Sequence, residues 1–167
     1  MSNAWIMTGQ KTALRTMTGE DQPHFHTWLK NPKLRELIDD PNIPTWEGQK
    51  QWFERLQQQY DRALFSIIVL PEETLIGNGG LVDIEPTQAQ LRISIANPDA
   101  WDKGYGSEIV GLIIRYAFEQ RGLQSVWLRV RTDNPRAIRV YEKNGFRREN
   151  IDEKGLLHMR IDAPQMR

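Results

Sequence analysis

At 167 residues and 19.5 kDa, the chain has the length of one ordinary domain and too little for two. Hydrophobic residues at 39% and charged residues at 26% are near globular averages, which excludes disordered, collagen-like and fibrous classes. Lys plus Arg and Asp plus Glu number 22 each, so the formal net charge is zero and bulk electrostatic binding to nucleic acid or a membrane surface is not indicated.

There is no cysteine, hence no disulfide framework, no thiolate metal site and no cysteine nucleophile. That suits a reducing cytoplasm. No run approaches 18 apolar residues, and the first residues carry no basic stretch leading into an apolar one, so neither a membrane span nor a signal peptide is expected. Residues 1–11 show no periodicity and are expected to be an N-terminal tail ahead of a single domain over 12–163.

In chain order, Leu14 to Lys33 reads as strand end, turn and short helix, with Phe25, Trp28 and Leu29 at helical spacing and Asn31-Pro32 as its stop. Thr45 is placed as a cap for a helix carrying Gln49, Trp52, Phe53, Leu56 and Tyr60. Leu64 to Leu70 and Leu75 to Ile84 form a hairpin around Pro71-Glu72-Glu73-Thr74. Gln90 to Ala96 alternates as a half-buried strand ended by Asn97-Pro98. Ser107 to Gln120 is a helix with Ile109, Val110, Ile113, Ile114 and Ala117 on its buried side and Gly122 as its C-terminal cap. Ser125 to Arg131 is a strand, Asn134-Pro135 opens a helix running to Lys143, and Phe146 to Glu149 and Leu156 to Ile161 are the last strands. The pattern predicts an α/β (α+β) domain: a mixed, mostly antiparallel central sheet flanked by helices.

The most informative stretch runs from Ile93 to Glu108: strand, turn, glycine loop, helix start. Glycines at 104 and 106 let the backbone turn with its N–H groups outward, and the first turn of the following helix adds about half a positive charge. A phosphate fits there. No Gly-Lys-Ser/Thr follows to make a P-loop, and no third glycine completes a dinucleotide fingerprint.

Asn134-Pro135-Arg136-Ala137-Ile138-Arg139-Val140-Tyr141-Glu142-Lys143-Asn144-Gly145-Phe146 resembles the second signature of the GNAT N-acetyltransferase superfamily, in which Asn, Ala, Tyr and Gly-Phe recur at this spacing. Trp101-Asp102-Lys103-Gly104-Tyr105-Gly106 resembles that family's acetyl-CoA loop. Trp101 stands where Gln or Arg is usual, as in the branch containing ribosomal-protein alanine and spermidine N-acetyltransferases. The resemblance implies a GNAT-like acyl-CoA N-acyltransferase fold and transfer of acetyl from acetyl-CoA to a primary amine. Under it, Lys103, Gly104, Tyr105, Gly106 and Ser107 hold the pyrophosphate. The strand of Ile93, Ser94 and Ile95 pairs with the pantetheine arm, Asn134 bonds that arm, and Ala137 leaves it room.

Tyr141 is the implied general acid for the departing thiolate. A phenol near pKa 10 giving its proton to a thiol near 8.5 is uphill by about 1.5 units, roughly 2 kcal/mol. A base is harder to find. Relatives often carry Glu in the strand before the loop, where this chain reads Ala89-Gln90-Leu91, and Gln90 cannot take a proton. Glu85 and Asp83 are the nearest carboxylates and Glu85 is the candidate base; His24 and His26 are remoter, and two His alone do not make a metal site. Missing Glu favours an acceptor of low pKa or a water relay. Trp28, Trp46, Trp52 and Phe53 belong to the part that forms the acceptor side in this family, and either line a pocket or cover the sheet.

Residues 101–148 hold 10 basic and 5 acidic side chains, and residues 1–100 hold 9 and 13. The first segment is expected to serve a polyanionic cofactor and the second to suit a cationic amine. The expected partner is a small-molecule or peptide amine, with no nucleic acid, membrane or metal, and the chain acting as monomer or homodimer. Two alternatives stay open: a catalytically reduced CoA-binding sensor or interaction module of the same fold, and a longer acyl-CoA donor.

Overall fold

The computed structural model describes residues 5–38 and 45–164. The strands are β1 Trp5–Thr8, β2 Thr12–Thr16, β3 Ala63–Val69, β4 Thr74–Val82, β5 Gln88–Ile95, β6 Ser125–Arg131, β7 Arg147–Ile151 and β8 Leu156–Asp162. They form one sheet in the order β1-β2-β3-β4-β5-β6-β8-β7. Every neighbouring pair is antiparallel except β5 with β6, so the mixed, mostly antiparallel sheet is as expected. The helices are α1 Gln22–Trp28, α2 Pro32–Ile38, α3 Trp46–Gln58, α4 Tyr105–Arg115 and α5 Pro135–Lys143.

Strand alternation divides the side chains between two faces. Leu14, Ile67, Ala89, Leu91, Val126, Leu128 and Val130 join Ile109, Ile113 and Ala117 in one buried cluster, so α4 covers this face. Each fully buried Leu or Ile there contributes about 1.5–3 kcal/mol. Arg15 and Ser66, paired across β2 and β3 one step from Leu14 and Ile67, face the other way. Asp21, just before α1, binds both: the Arg15 guanidinium donates to its two oxygens at 2.9 and 3.0 Å, and Ser66 Oγ donates at 2.6 Å. Gln49 Nε2 of α3 then donates to Gln22 Oε1 of α1 at 2.8 Å. The N-terminal helices thus lie on the face opposite α4.

Four local expectations change. Residues 1–11 are not all tail, because Trp5–Thr8 pairs with β2 and buries Met7. Four residues are too few to show a period, and the strand is fixed by its partners. Pro32 does not end helical structure but starts α2 as its first residue, with Asn31 Oδ1 accepting from Lys33 N at 3.0 Å. The helix expected from Ser107 begins at Tyr105 and continues past Arg115 as a π turn over Tyr116–Gln120. Tyr60 lies beyond α3 and is almost fully exposed.

Candidate active site

β5 and β6 pair only at their starts, Gln88 with Ser125, Ala89 with Val126 and Gln90 with Trp127. Beyond that point each strand runs on, held by its outer neighbour: β5 by β4 up to Ile95, β6 by β8 up to Arg131. The sheet is therefore split along this seam. Backbone N–H and C=O groups on both edges of the fork are open to an extended, amide-bearing ligand, as at any strand edge. Ile93, Ser94 and Ile95 lie on the β5 edge. Trp101 Nε1 donates to the Ile95 carbonyl at 2.7 Å, so the tryptophan fixes the end of that edge.

At the open end of the fork the chain turns through Asn97 to Gly104 into α4. Asn97 Oδ1 caps the turn by accepting from Asp99 N at 3.0 Å. Gly104 sits at φ +79, with nothing within 4 Å of where a Cβ would be. Its glycine is thus required by backbone conformation, not by space. The N–H groups of Tyr105, Gly106 and Ser107 have no acceptor within the helix and carry its positive dipole end. A Cβ on Gly106 would meet nothing nearer than Ile95 Cδ1 at 3.6 Å, so the protein itself leaves room there. Lys103 is exposed beside this turn.

α5 closes the other side. Asn134 Oδ1 accepts from Ala137 N at 3.2 Å, so Asn134 caps the helix, as its position before Pro135 suggests. Arg136 in the first turn pairs with Asp102 of the loop. Asn144 Nδ2 donates to Ser107 Oγ at 3.3 Å and to the Val140 carbonyl at 2.9 Å, tying the end of α5 to the start of α4. The Ser107 hydroxyl is engaged in that tie; its backbone N–H faces the helix end.

Tyr141 lies one turn before Asn144, its ring edge-on to Phe146 with centroids 5.8 Å apart. Burial pushes its phenol up to about 12. The hydroxyl stays protonated at any physiological pH. Donation to a thiol of ordinary pKa becomes uphill by about 3.5 units, roughly 4.8 kcal/mol, steeper than the roughly 2 kcal/mol expected from sequence. A thiolate formed in the same apolar surroundings is raised in the same direction, which narrows the gap.

Glu85 is exposed in the β4–β5 turn, where its backbone N–H bonds Gln88 O at 2.8 Å and its Oε2 accepts from Gln88 Nε2 at 2.7 Å. Gln88 Oε1 in turn accepts from Arg160 at 3.1 Å. Glu85 thus stands at the closed end of the fork, already hydrogen-bonded. Asp83 turns the chain after β4 at φ +49. His24 is tilted against Trp28 and His26 meets Trp46 edge-on, with ring centroids 5.8 and 5.7 Å apart. Among the described residues no group of three metal-ligating side chains occurs. Trp28, Trp52 and Phe53 are half-buried and Trp46 is 40% exposed.

Sequence reasoning missed two features on the face opposite α4. Gln90, the last paired residue of β5, is 4% exposed, and its Oε1 has no hydrogen-bond partner among the described residues. Arg92 follows on the same face, and Arg62 and Arg129 are close enough to push its proton affinity down, second to its burial. The expected division into a basic cofactor half and an acidic acceptor half therefore does not carry over to this face, since Arg62 and Arg92 come from the acidic segment. Alternation around Gln90 signals its face; the burial and the cluster depend on register.

Residues 11–147 match the model of the acetyltransferase (GNAT) domain. The chain belongs to the GNAT acetyltransferase family. The mouse alpha/beta-tubulin-N-acetyltransferase 9 is 26% identical over 179 residues, covering 96% of this chain and 73% of the mouse protein. The spermidine N-acetyltransferase of Vibrio cholerae, solved with CoA and spermine, superposes with a TM-score of 0.86 at 21% identity, over 92% of this chain and 96% of that one. An aminoglycoside acetyltransferase solved with coenzyme A and kanamycin superposes with a TM-score of 0.74 at 22% identity, over 90% and 94%. The fold of this GNAT domain is the fold of those enzymes. No described helix is long and apolar enough to cross a membrane.

Proposed function

We propose that the chain transfers an acetyl group from acetyl-CoA to a primary amine by direct attack of the amine on the thioester. The observation that carries this reading is the split seam between β5 and β6, opening toward the free N–H groups at the start of α4. The residues fit the donor. The Lys103 to Ser107 turn offers backbone N–H groups to a pyrophosphate. The β5 edge at Ile93, Ser94 and Ile95 offers a strand partner to the amides of the arm, with Asn134 on the opposite side and only a methyl group at Ala137. Acetyl-CoA, when bound, supplies the activated acyl group; the protein supplies position and protons.

In this reading the β5 backbone polarises the thioester carbonyl at the fork. The amine nitrogen forms the new C–N bond as the C–S bond breaks, Tyr141 gives its proton to the sulfur, and the proton lost by nitrogen leaves through water, from which the Tyr141 phenolate is reprotonated. Glu85 acts at most as the end of that water relay, since Gln88 already occupies its carboxylate. The named relatives act on tubulin, spermidine and aminoglycosides, which share a primary amine. The lack of cysteine suits a reducing compartment, and we place the activity in the cytoplasm.

A thiol-release assay with acetyl-CoA against polyamines, aminoglycosides, amino acids and N-terminal peptides tests the proposal. Release with at least one amine is expected. Acetyl-CoA binding with no release on any of them replaces the enzyme by a CoA-binding module.

A further inference from the structure

We infer that the acceptor carries an anionic group, a carboxylate or its equivalent, a few bonds from the amine, held by Arg92 and Arg129 across the open fork while Gln90 accepts from the amine N–H. This rests on the acetyltransferase reading above and names the acceptor class of the same site.

The placement follows from register. Gln90 faces Trp127 at the last paired position, so Arg92 on β5 and Arg129 on β6 are each two residues further, on the same face and on opposite sides of the seam. Ala89 and Leu91, like Leu128 and Val130, point to the α4 core, which puts Gln90, Arg92, Trp127 and Arg129 on the other face. α2 borders that face: its Glu36 carbonyl accepts from Arg131 Nη1 of β6 at 2.6 Å. The partner of Arg92 on β4 is Gly80, so no side chain stands beside Arg92 there.

Three cations gather here, and the side chains of Arg62, Arg92 and Arg129 make no ion pair and no hydrogen bond among the described residues. Arg129 lies over the Trp127 ring, 5.9 Å from its centroid, and Trp127 stacks on His158 of β8. Asp83, at the end of β4, is the acidic group acting on Arg92, which it does more weakly than Arg62. Guanidinium groups spaced across an open seam suit a planar, two-oxygen anion. A polycation would meet like charge.

The buried end of the fork is a second, independent observation. The Gln90 side-chain carbonyl oxygen is enclosed and has no partner among the described residues, and a buried acceptor without a donor is costly. An amine N–H at the fork satisfies it. Gln90 cannot remove a proton, but neighbouring positive charge disfavours an ammonium and favours the neutral, nucleophilic amine. An α-amino group, with an ordinary pKa near 7.7–8.0, needs little such help. The arginines and the glutamine thus fit one acceptor, an amine beside a carboxylate, and together they do by field what a carboxylate base does by proton transfer.

The test is steady-state thiol release on matched pairs, each amino acid or acidic-ended amine against its amide or its analogue lacking the carboxylate, with spermidine alongside. The carboxylate member is expected to have kcat/KM about tenfold higher or more, and R92Q and R129Q should each remove most of that preference through KM. Neither arginine belongs to the buried core, so melting temperature and acetyl-CoA Kd should stay at wild-type values, which separates loss of acceptor binding from loss of fold. Equal or better turnover of the amide or of spermidine overturns the inference and leaves the enzyme. Acetyl-CoA binding without turnover of any acceptor overturns the acetyltransferase reading, and this inference with it.

Discussion

Replacing Glu108 should loosen the α4 end of the site from beneath. Its Oε1 accepts from Thr12 Oγ1 at 2.6 Å, Thr12 N at 2.7 Å and Lys11 N at 2.9 Å, so one carboxylate on α4 closes the β1–β2 turn. Thr12 is fully buried, and Glu108→Ala leaves its donors without a partner. At about 1–3 kcal/mol for orphaned buried donors, Glu108→Ala should cost about 2–4 kcal/mol in all. Glu108→Gln keeps an oxygen in place and loses only the charge assistance, about 1 kcal/mol. For a chain of this size 1 kcal/mol corresponds to about 2–4 °C of Tm, so melts by circular dichroism resolve both variants.

The pH dependence gives an independent check. Desolvation raises the Glu108 pKa, but the Thr12 and Lys11 hydrogen bonds outweigh it and hold the carboxyl below its ordinary value. A depressed pKa contributes stability that is complete above the unfolded value, about 4.3, and disappears as pH falls through the folded one. The gap between wild type and Glu108→Gln should therefore be full at pH 7 and close below about pH 4. A Glu108→Ala protein melting with wild type, or a Glu108→Gln gap unchanged at low pH, refutes the reasoning.

Asp21→Ala leaves the Arg15 guanidinium and Ser66 hydroxyl facing each other across the sheet with nothing between. Because both partners of that pair are buried, the loss should be about 3–5 kcal/mol, read as a lowered urea midpoint at unchanged slope. The Asp21 carboxyl is raised by desolvation but lowered overall by Arg15, Ser66 and Thr18, so this contribution too should fade on acidification below about pH 4. Gly104→Ala meets no atom but forces a Cβ onto a left-handed backbone, so it should cost about 1 kcal/mol and weaken acetyl-CoA several-fold by calorimetry. An unchanged Kd would place the anion elsewhere.

The parts of the site that lie in one stretch of chain were legible, because their chemistry is local. Gly104-x-Gly106 states a turn and a helix start, Asn134-Pro135 states a cap, and the Gln90 to Ala96 alternation states which side chains share a face. What depends on pairing was hidden. Trp101 is apolar text until its indole meets the Ile95 carbonyl. Glu108 reads as a solvated helix residue until β2 is folded against it. Trp5–Thr8 has no pattern without β2, and Pro32 stops or starts a helix depending on the residues after it. The arginine group combines β5, β6 and the residue before β3, and only the fork sets Arg92 opposite Arg129.

Tyr141→Phe tests the central claim most directly. The phenol, held protonated with a pKa near 12, is assigned the proton that the departing sulfur receives, and phenylalanine keeps the ring against Phe146 while removing that proton. Thiol release measured with saturating acetyl-CoA and amine should fall roughly a hundredfold or more, with acetyl-CoA Kd and Tm unchanged. Release within about twofold of wild type would show that another group or water protonates the sulfur, and would contradict the account.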